Sequence, residues 1–188
     1  MKENINIETG VVQVGKRYAQ YNAKYSMPSV INVLIETITN VDDSYERLFK
    51  DKKIKELKAQ NLDDLLIKEE LKKVKWHGNC QVFYIRGGKS EPSTIIVKDK
   101  AEGISPDSIK EKVNRIGGIH TAGSATRGHN NKGLKDISFV APVYIFTQKD
   151  GMCSSVKIDC TTTMESDEGV GKFEIKKCKY SDRSEEFK

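Results

Sequence analysis

Trp76-His-Gly-Asn-Cys80-Gln-Val-Phe-Tyr-Ile85-Arg-Gly-Gly-Lys-Ser90-Glu-Pro-Ser-Thr94-Ile-Ile-Val-Lys98 is where the chain changes period. Two short runs rich in β-branched and aromatic residues flank the turn formers Gly87, Gly88 and Pro92, the pattern of an antiparallel hairpin. Upstream the period is helical. Val30, Val33, Leu34, Ile38 and Val41 recur at three-to-four spacing behind Ser26 as N-cap and Pro28 in the first turn, which predicts a helix over residues 28–48. Residues 46–75 are dense in Lys, Asp and Glu over Ile54, Leu57, Leu62, Leu65, Leu66, Leu71 and Val74, the pattern of one or two helices with a solvated face.

Downstream, Pro106-Asp-Ser-Ile-Lys-Glu-Lys-Val-Asn-Arg reads as a short helix capped by Ser105, and a Gly-rich loop follows from Gly117 to Gly133. A further helix is expected from Gly133 toward Val140. Strands are expected at Val143-Tyr-Ile-Phe-Thr and Ser154-Ser-Val-Lys-Ile-Asp around a Lys149-Asp150-Gly151 turn, and at Phe173-Glu-Ile-Lys. Helices followed by an antiparallel meander, without repeating βαβ units, predict an α+β sandwich with helices on one face of a sheet.

The chain has 188 residues, the size of one domain. Its 37% hydrophobic and 31% charged composition, with mean hydropathy −0.57, excludes a long apolar span. Residues 1–6 lack the apolar core of a secretory signal, so a cytoplasmic location and no membrane partner are expected. Cys80, Cys153, Cys160 and Cys178 show no zinc-site spacing and read as reduced thiols. A net charge of +5, spread through the chain, permits a polyanionic partner without demanding one. Nucleic-acid binding through the lysines of 46–75 is the weakest reading of that charge.

Three features carry candidate chemistry. On the long helix, Glu36, Asn40 and Asp43 are spaced four and three apart and share one stripe beside Val33. At the end of the 94–98 strand, Asp99-Lys-Ala-Glu-Gly103 suits a tight turn that aims a carboxylate into a cleft. Gly123-Ser-Ala-Thr-Arg-Gly128-His-Asn-Asn-Lys-Gly133-Leu-Lys135 is a glycine-rich loop running into a helix, able to wrap phosphates with backbone N–H groups. It is neither a P-loop nor a Rossmann turn, since GxxxxGK[ST] is missing and no strand leads into a GxGxxG.

In this order, over roughly residues 26–150, the three features resemble the GHKL ATPase superfamily of type II topoisomerases, heat-shock chaperones, histidine kinases and mismatch-repair ATPases. The resemblance implies a Bergerat-type two-layer sandwich, with a mixed, mostly antiparallel sheet and a Gly-rich ATP lid. Residues 1–25 would form an N-terminal arm and 26–188 the nucleotide-binding domain, with 46–75 as a charged helical insertion, in a fragment of a longer protein. The family's ExxxNxxD box falls on Glu36, which would polarise the attacking water, Asn40, which would ligate Mg2+, and Asp43, which would support the site. Its DxGxG falls on Asp99, which would accept from the adenine amino group, with Ala101 in place of the first glycine, then Gly103 and Ile104. The lid and GxxGxG fall on Gly123, Ser124, Thr126, Arg127, Gly128, Asn131, Lys132, Gly133 and Lys135. Asn131 stands where the middle glycine would be, and Asn tolerates positive φ better than other side chains. Thr147 resembles the strand threonine that assists adenine recognition.

Glu36, four residues before Asn40, favours hydrolysis over phosphotransfer, and His77, His120 and His129 lie on no dimerisation helix. The expected protein is therefore a Mg2+-dependent ATP hydrolase, nearest the heat-shock chaperone branch, binding ATP and ADP. It would close its lid with a second copy or a partner subunit or domain. The competing reading is a nucleotide-sensing scaffold that binds ATP without useful turnover.

Overall fold

A computed structural model describes residues 5–13, 16–21, 24–25, 29–114, 133–164 and 170–182. It divides into two compact units, residues 1–36 with 103–188 and residues 37–102. The observed class is α+β, and every strand pairing among the described residues is antiparallel.

The first unit holds a four-stranded sheet of β1 (Asn6–Gln13), β4 (Val143–Lys149), β5 (Met152–Asp159) and β6 (Val170–Lys179), in the order β1-β6-β5-β4. Strands β4 and β5 turn at Asp150 and Gly151, both with positive φ (54° and 72°), as the Asp-Gly pair predicts for a tight hairpin. Strand β1 arises inside the segment expected to be an arm. Its Gly10 pairs with Phe173, and a Cβ at residue 10 would overlap that ring. A glycine here lets an aromatic side chain lie flat on the neighbouring backbone.

Alternation along these strands sends Val12, Val156, Ile158, Phe173 and Ile175 to one face of the sheet. There they pack with Ala19 of α1 (Lys16–Tyr21), with Phe139, and with Ile109 and Val113 of α4 (Pro106–Asn114). Ile109 and Val113 are four apart and form one stripe, so a nine-residue helix suffices to cover the sheet. Ser105 caps α4 by accepting from the Ser108 N–H, and Pro106 occupies the first position, where no N–H partner is missed. The proposed N-cap Ser26 and Pro28 lie outside the described residues. At the observed start of the long helix, the Ser29 carbonyl accepts from the Asn32 and Val33 amides.

The second unit contains most of α2 (Val30–Ala59), α3 (Asp64–Lys72) and a separate two-stranded sheet, β2 (Cys80–Ile85) with β3 (Thr94–Asp99). Helix α2 runs past residue 48, through the charged segment. It ends on Asn61, whose positive φ of 57° and short-range bonds to the Lys58 carbonyl close the last turn. Asp63 then caps α3 by accepting from the Leu66 N–H at 2.8 Å. The charged stretch is helical with a wet face, as its composition predicts. Its buried side chains are Leu57 and Ile67, whereas Leu65 and Leu66, expected beneath the charge, are exposed. A helix of nine residues buries a single stripe, and in α3 that stripe is centred on Ile67. Val30 and Ile38, expected on the apolar face of α2, are likewise exposed. The four cysteines form no disulfide, as expected.

Glu8 of β1 lies between two cations, Lys110 Nζ at 2.9 Å and Lys177 Nζ at 3.3 Å. The Lys110 and Lys177 ammonium groups hold its carboxyl below the usual glutamate range. A carboxylate with a depressed folded-state pKa stabilises above its unfolded value, near pH 4.3, and that contribution disappears as pH falls through the folded value. Thermal unfolding followed from pH 6 to pH 3 is therefore expected to show a smaller acid-induced loss of Tm in Glu8→Gln than in the wild type; identical profiles would contradict the assignment.

Candidate functional site

The turn after β3 is built on an Asx motif. Asp99 Oδ1 accepts from the Ala101 N–H at 2.8 Å, which folds the chain back directly after the strand and leaves the side chain exposed. Two side chains of α2 secure this turn. The Tyr45 hydroxyl accepts from the Lys100 N–H and donates to the Asn79 carbonyl, each at 3.1 Å, and Arg47 Nε donates to Glu102 Oε1 at 2.6 Å. A Cβ at Gly78 would overlap the Tyr45 ring, so the segment before β2 also fits against this tyrosine. Tyr45, Arg47 and Glu102 carry no motif signal. They sit beside motif residues in sequence, but their partners across the turn are 55 positions away, a separation that no local spacing reveals.

Asn40 and Asp43 lie on the same stretch of α2, Asn40 half-buried and Asp43 buried. The neighbouring Asp42 accepts from the Trp76 indole N–H at 2.9 Å.

In the first unit, Gly103 has φ +66°, and a Cβ there would come within 2.5 Å of the Gln148 carbonyl oxygen and 3.2 Å of Thr147 Oγ1. Its neighbour Ile104 donates its N–H to Thr147 Oγ1 at 2.8 Å. The end of the Asp99 motif and the strand threonine, two features read separately from the sequence, thus meet on β4. Because the Thr147 oxygen accepts from Ile104, its own O–H is directed elsewhere and is available as a donor.

Glu36, near the start of α2, lies against Gly133, the first residue of α5 (Gly133–Ser138). Any Cβ at 133 would overlap its carboxyl group. The cause is packing: Val33, one turn earlier on the same stripe, joins Leu134, Ile137, Val143 and Ile145 in a small apolar cluster. Packing Val33 carries Glu36 onto the helix start, where glycine at 133 lets the carboxyl group lie without displacement. Of the expected lid residues, Gly123, Ser124, Thr126, Arg127, Gly128, Asn131 and Lys132 lie outside the described residues, as does the side chain of Lys135.

Among the described residues no group of three or more His, Cys, Asp or Glu side chains gathers as a metal centre. The donor that the sequence offers a metal is the Asn40 amide oxygen. One hard oxygen suits magnesium, which usually keeps several waters and binds one or two protein groups together with phosphates. No helix among the described residues is long and apolar enough to cross a membrane. No known protein family, curated protein or solved structure matches the chain.

The two glycines respond differently to a methyl group. At 103 the obstacle is a backbone carbonyl, and φ is unfavourable for any side chain; at 133 it is the end of a flexible glutamate. Gly103→Ala is expected to destabilise by about 1–3 kcal/mol, and Gly133→Ala by less than about 1 kcal/mol, read as urea midpoints at constant m. Equal losses would show that Gly103 is not held in the described conformation.

Proposed function

We propose that the chain is an ATP-binding, Mg2+-dependent ATP-hydrolysing domain of GHKL type, nearest the chaperone-like branch. Lid closure over the nucleotide would drive a conformational change or dimerisation. The observation that carries this reading is the Ile104 N–H bond to Thr147 with Gly103 laid against β4, which joins two of the motif elements assigned to adenine recognition. The seating of Glu36 on Gly133 supports it, since a carboxylate held beside the last glycine of a phosphate-wrapping loop is placed for chemistry at a terminal phosphate.

In this account Asp99 accepts from the adenine amino group, while Thr147 assists at the same ring. Gly103, against Thr147, brings backbone close to the base without a side chain between. Asn40 would hold magnesium, with Asp43 supporting that end of the site, and the ion would neutralise charge on the phosphates. Glu36 orients a water toward the γ-phosphate and takes its proton; most of the barrier reduction in phosphoryl transfer comes from such positioning together with electrostatic stabilisation. Arg127, Lys132 and Lys135 would supply further cations from the lid.

Guanine presents a carbonyl oxygen where adenine presents its amino group, so a site built around the Asp99 acceptor discriminates against it. Titration calorimetry is expected to show ATP bound in preference to GTP, with Asp99→Asn weakening ATP by about 1–3 kcal/mol. Equal affinity for GTP would remove Asp99 from this role.

Glu36→Gln keeps the shape that fits against Gly133 while removing the base. It is expected to lower phosphate release by about 10²–10⁴-fold with ATP affinity nearly unchanged. Undiminished turnover in this variant would leave ATP binding without Glu36-dependent hydrolysis.

A further inference from the structure

On the face of the four-stranded sheet opposite the core, the side chains of the two edge strands are exposed, Ile7 and Val11 on β1 at 55% and 59%, whereas Cys153 and Cys178, paired at one end of β5 and β6, are buried. On the edge strand β4, Tyr144 and Phe146 point to this face and are 58% and 61% exposed. As residues i and i+2 of one strand they stand about 6.7 Å apart, side by side. Across the sheet from Tyr144 come Lys157 and then Glu174; across from Phe146 come Ser155 and then Lys176. Lys157 Nζ sits 5.6 Å from the Tyr144 ring centroid, and Lys176 Nζ lies 3.6 Å from Glu174. Lys172 stands on the same face, opposite Asp159.

We propose that this face binds a single-stranded polynucleotide, with Tyr144 and Phe146 each stacking one base and Lys157, Lys176 and Lys172 meeting the phosphates. Two aromatic rings spaced along a strand, with cations beside them, match the chemistry of unpaired bases joined by phosphodiesters: every base has a stackable face, and the backbone is anionic. Three lysines against two carboxylates leave the face net positive, in a chain of net charge +5. A protein partner fits less well. Exposed Ile7 and Val11 lie on the far edge, but the strip between them and the aromatic rings is Lys, Glu and Ser, and lysine and glutamate are depleted from the cores of protein interfaces. The recognition proposed here uses base faces and phosphates, which DNA and RNA single strands share, so both are accepted alike, whereas a duplex hides its base faces.

The test uses the whole 188-residue chain without ATP or magnesium, so that its outcome is separate from that of the nucleotide site. Fluorescence anisotropy with labelled oligo(dT) and oligo(U) of about 15 nucleotides is expected to show binding within about fivefold of one another, and a same-length duplex bound at least about tenfold more weakly. The salt slope of log K is expected near −2, about 0.7 for each of three phosphate contacts. Tyr144→Ala with Phe146→Ala is expected to weaken binding at least about tenfold. Tyr144→Leu with Phe146→Leu, which keeps apolar strand formers but removes the stacking faces, is expected to do the same with an unchanged circular dichroism spectrum. No binding by the wild type, duplex bound as tightly as single strand, a wide split between oligo(dT) and oligo(U), or wild-type affinity in the leucine variant would each overturn the proposal.

Discussion

Gly103 lies at φ +66° with the Gln148 carbonyl oxygen 2.5 Å from where a Cβ would be, and the amide of the next residue closes onto Thr147. Six residues separate the end of β3 from the start of α4, and in that space the chain makes an Asx turn, passes through a left-handed glycine and caps a helix. Ile109 and Val113 reach the core of the four-stranded sheet only because α4 begins where it does. A β-carbon at 103 would force the strand β4 backbone or the turn to move, and with it the start of α4. The same constraint that positions a core helix also presents Ile104 and Thr147, so architecture and candidate chemistry in this unit share one backbone geometry.

Glu36 and Gly133 repeat that logic with a different obstacle. The carboxyl group is brought to the start of α5 by packing of Val33 one helical turn away, and it is accommodated because residue 133 has no side chain. A glycine that reads in the sequence as freedom for a phosphate-wrapping loop thus has a second use, as the seat of an acidic side chain. In the other unit, Tyr45 and Arg47 do comparable work for the Asp99 turn, through a phenol that both accepts and donates and a guanidinium on Glu102.

The elements with strong local signals were legible. The β2–β3 hairpin follows from two β-rich runs around Gly-Gly and Pro, the β4–β5 hairpin from Asp-Gly, and α4 from Ser-Pro ahead of an i, i+4 apolar pair. Strand β1 was not, because it contains Gly10 and its partner β6 lies some 160 residues away, where Phe173 supplies the bulk that glycine lacks. A single sheet was expected and two are observed, since alternation predicts that a strand forms but not which edge it joins. At the site, Glu36, Gly103 and Gly133 stand out by spacing and glycine content, and Thr147 by the GHKL resemblance alone, as separate motif members. That they meet depends on Val33 packing and on the φ of one residue, neither of which has a sequence period. Tyr45, Arg47 and Glu102 were missed for the same reason.

Hydrogen–deuterium exchange of the chain with and without Mg2+-ATP tests the central claim most directly, because nucleotide contacts are proposed on three separated segments besides the lid. Exchange is expected to slow together over residues 36–43, over residues 99–104 and at residue 147, with β1 and β6 unchanged. Exchange unaltered by Mg2+-ATP in all three segments, or slowed only outside them, would contradict it.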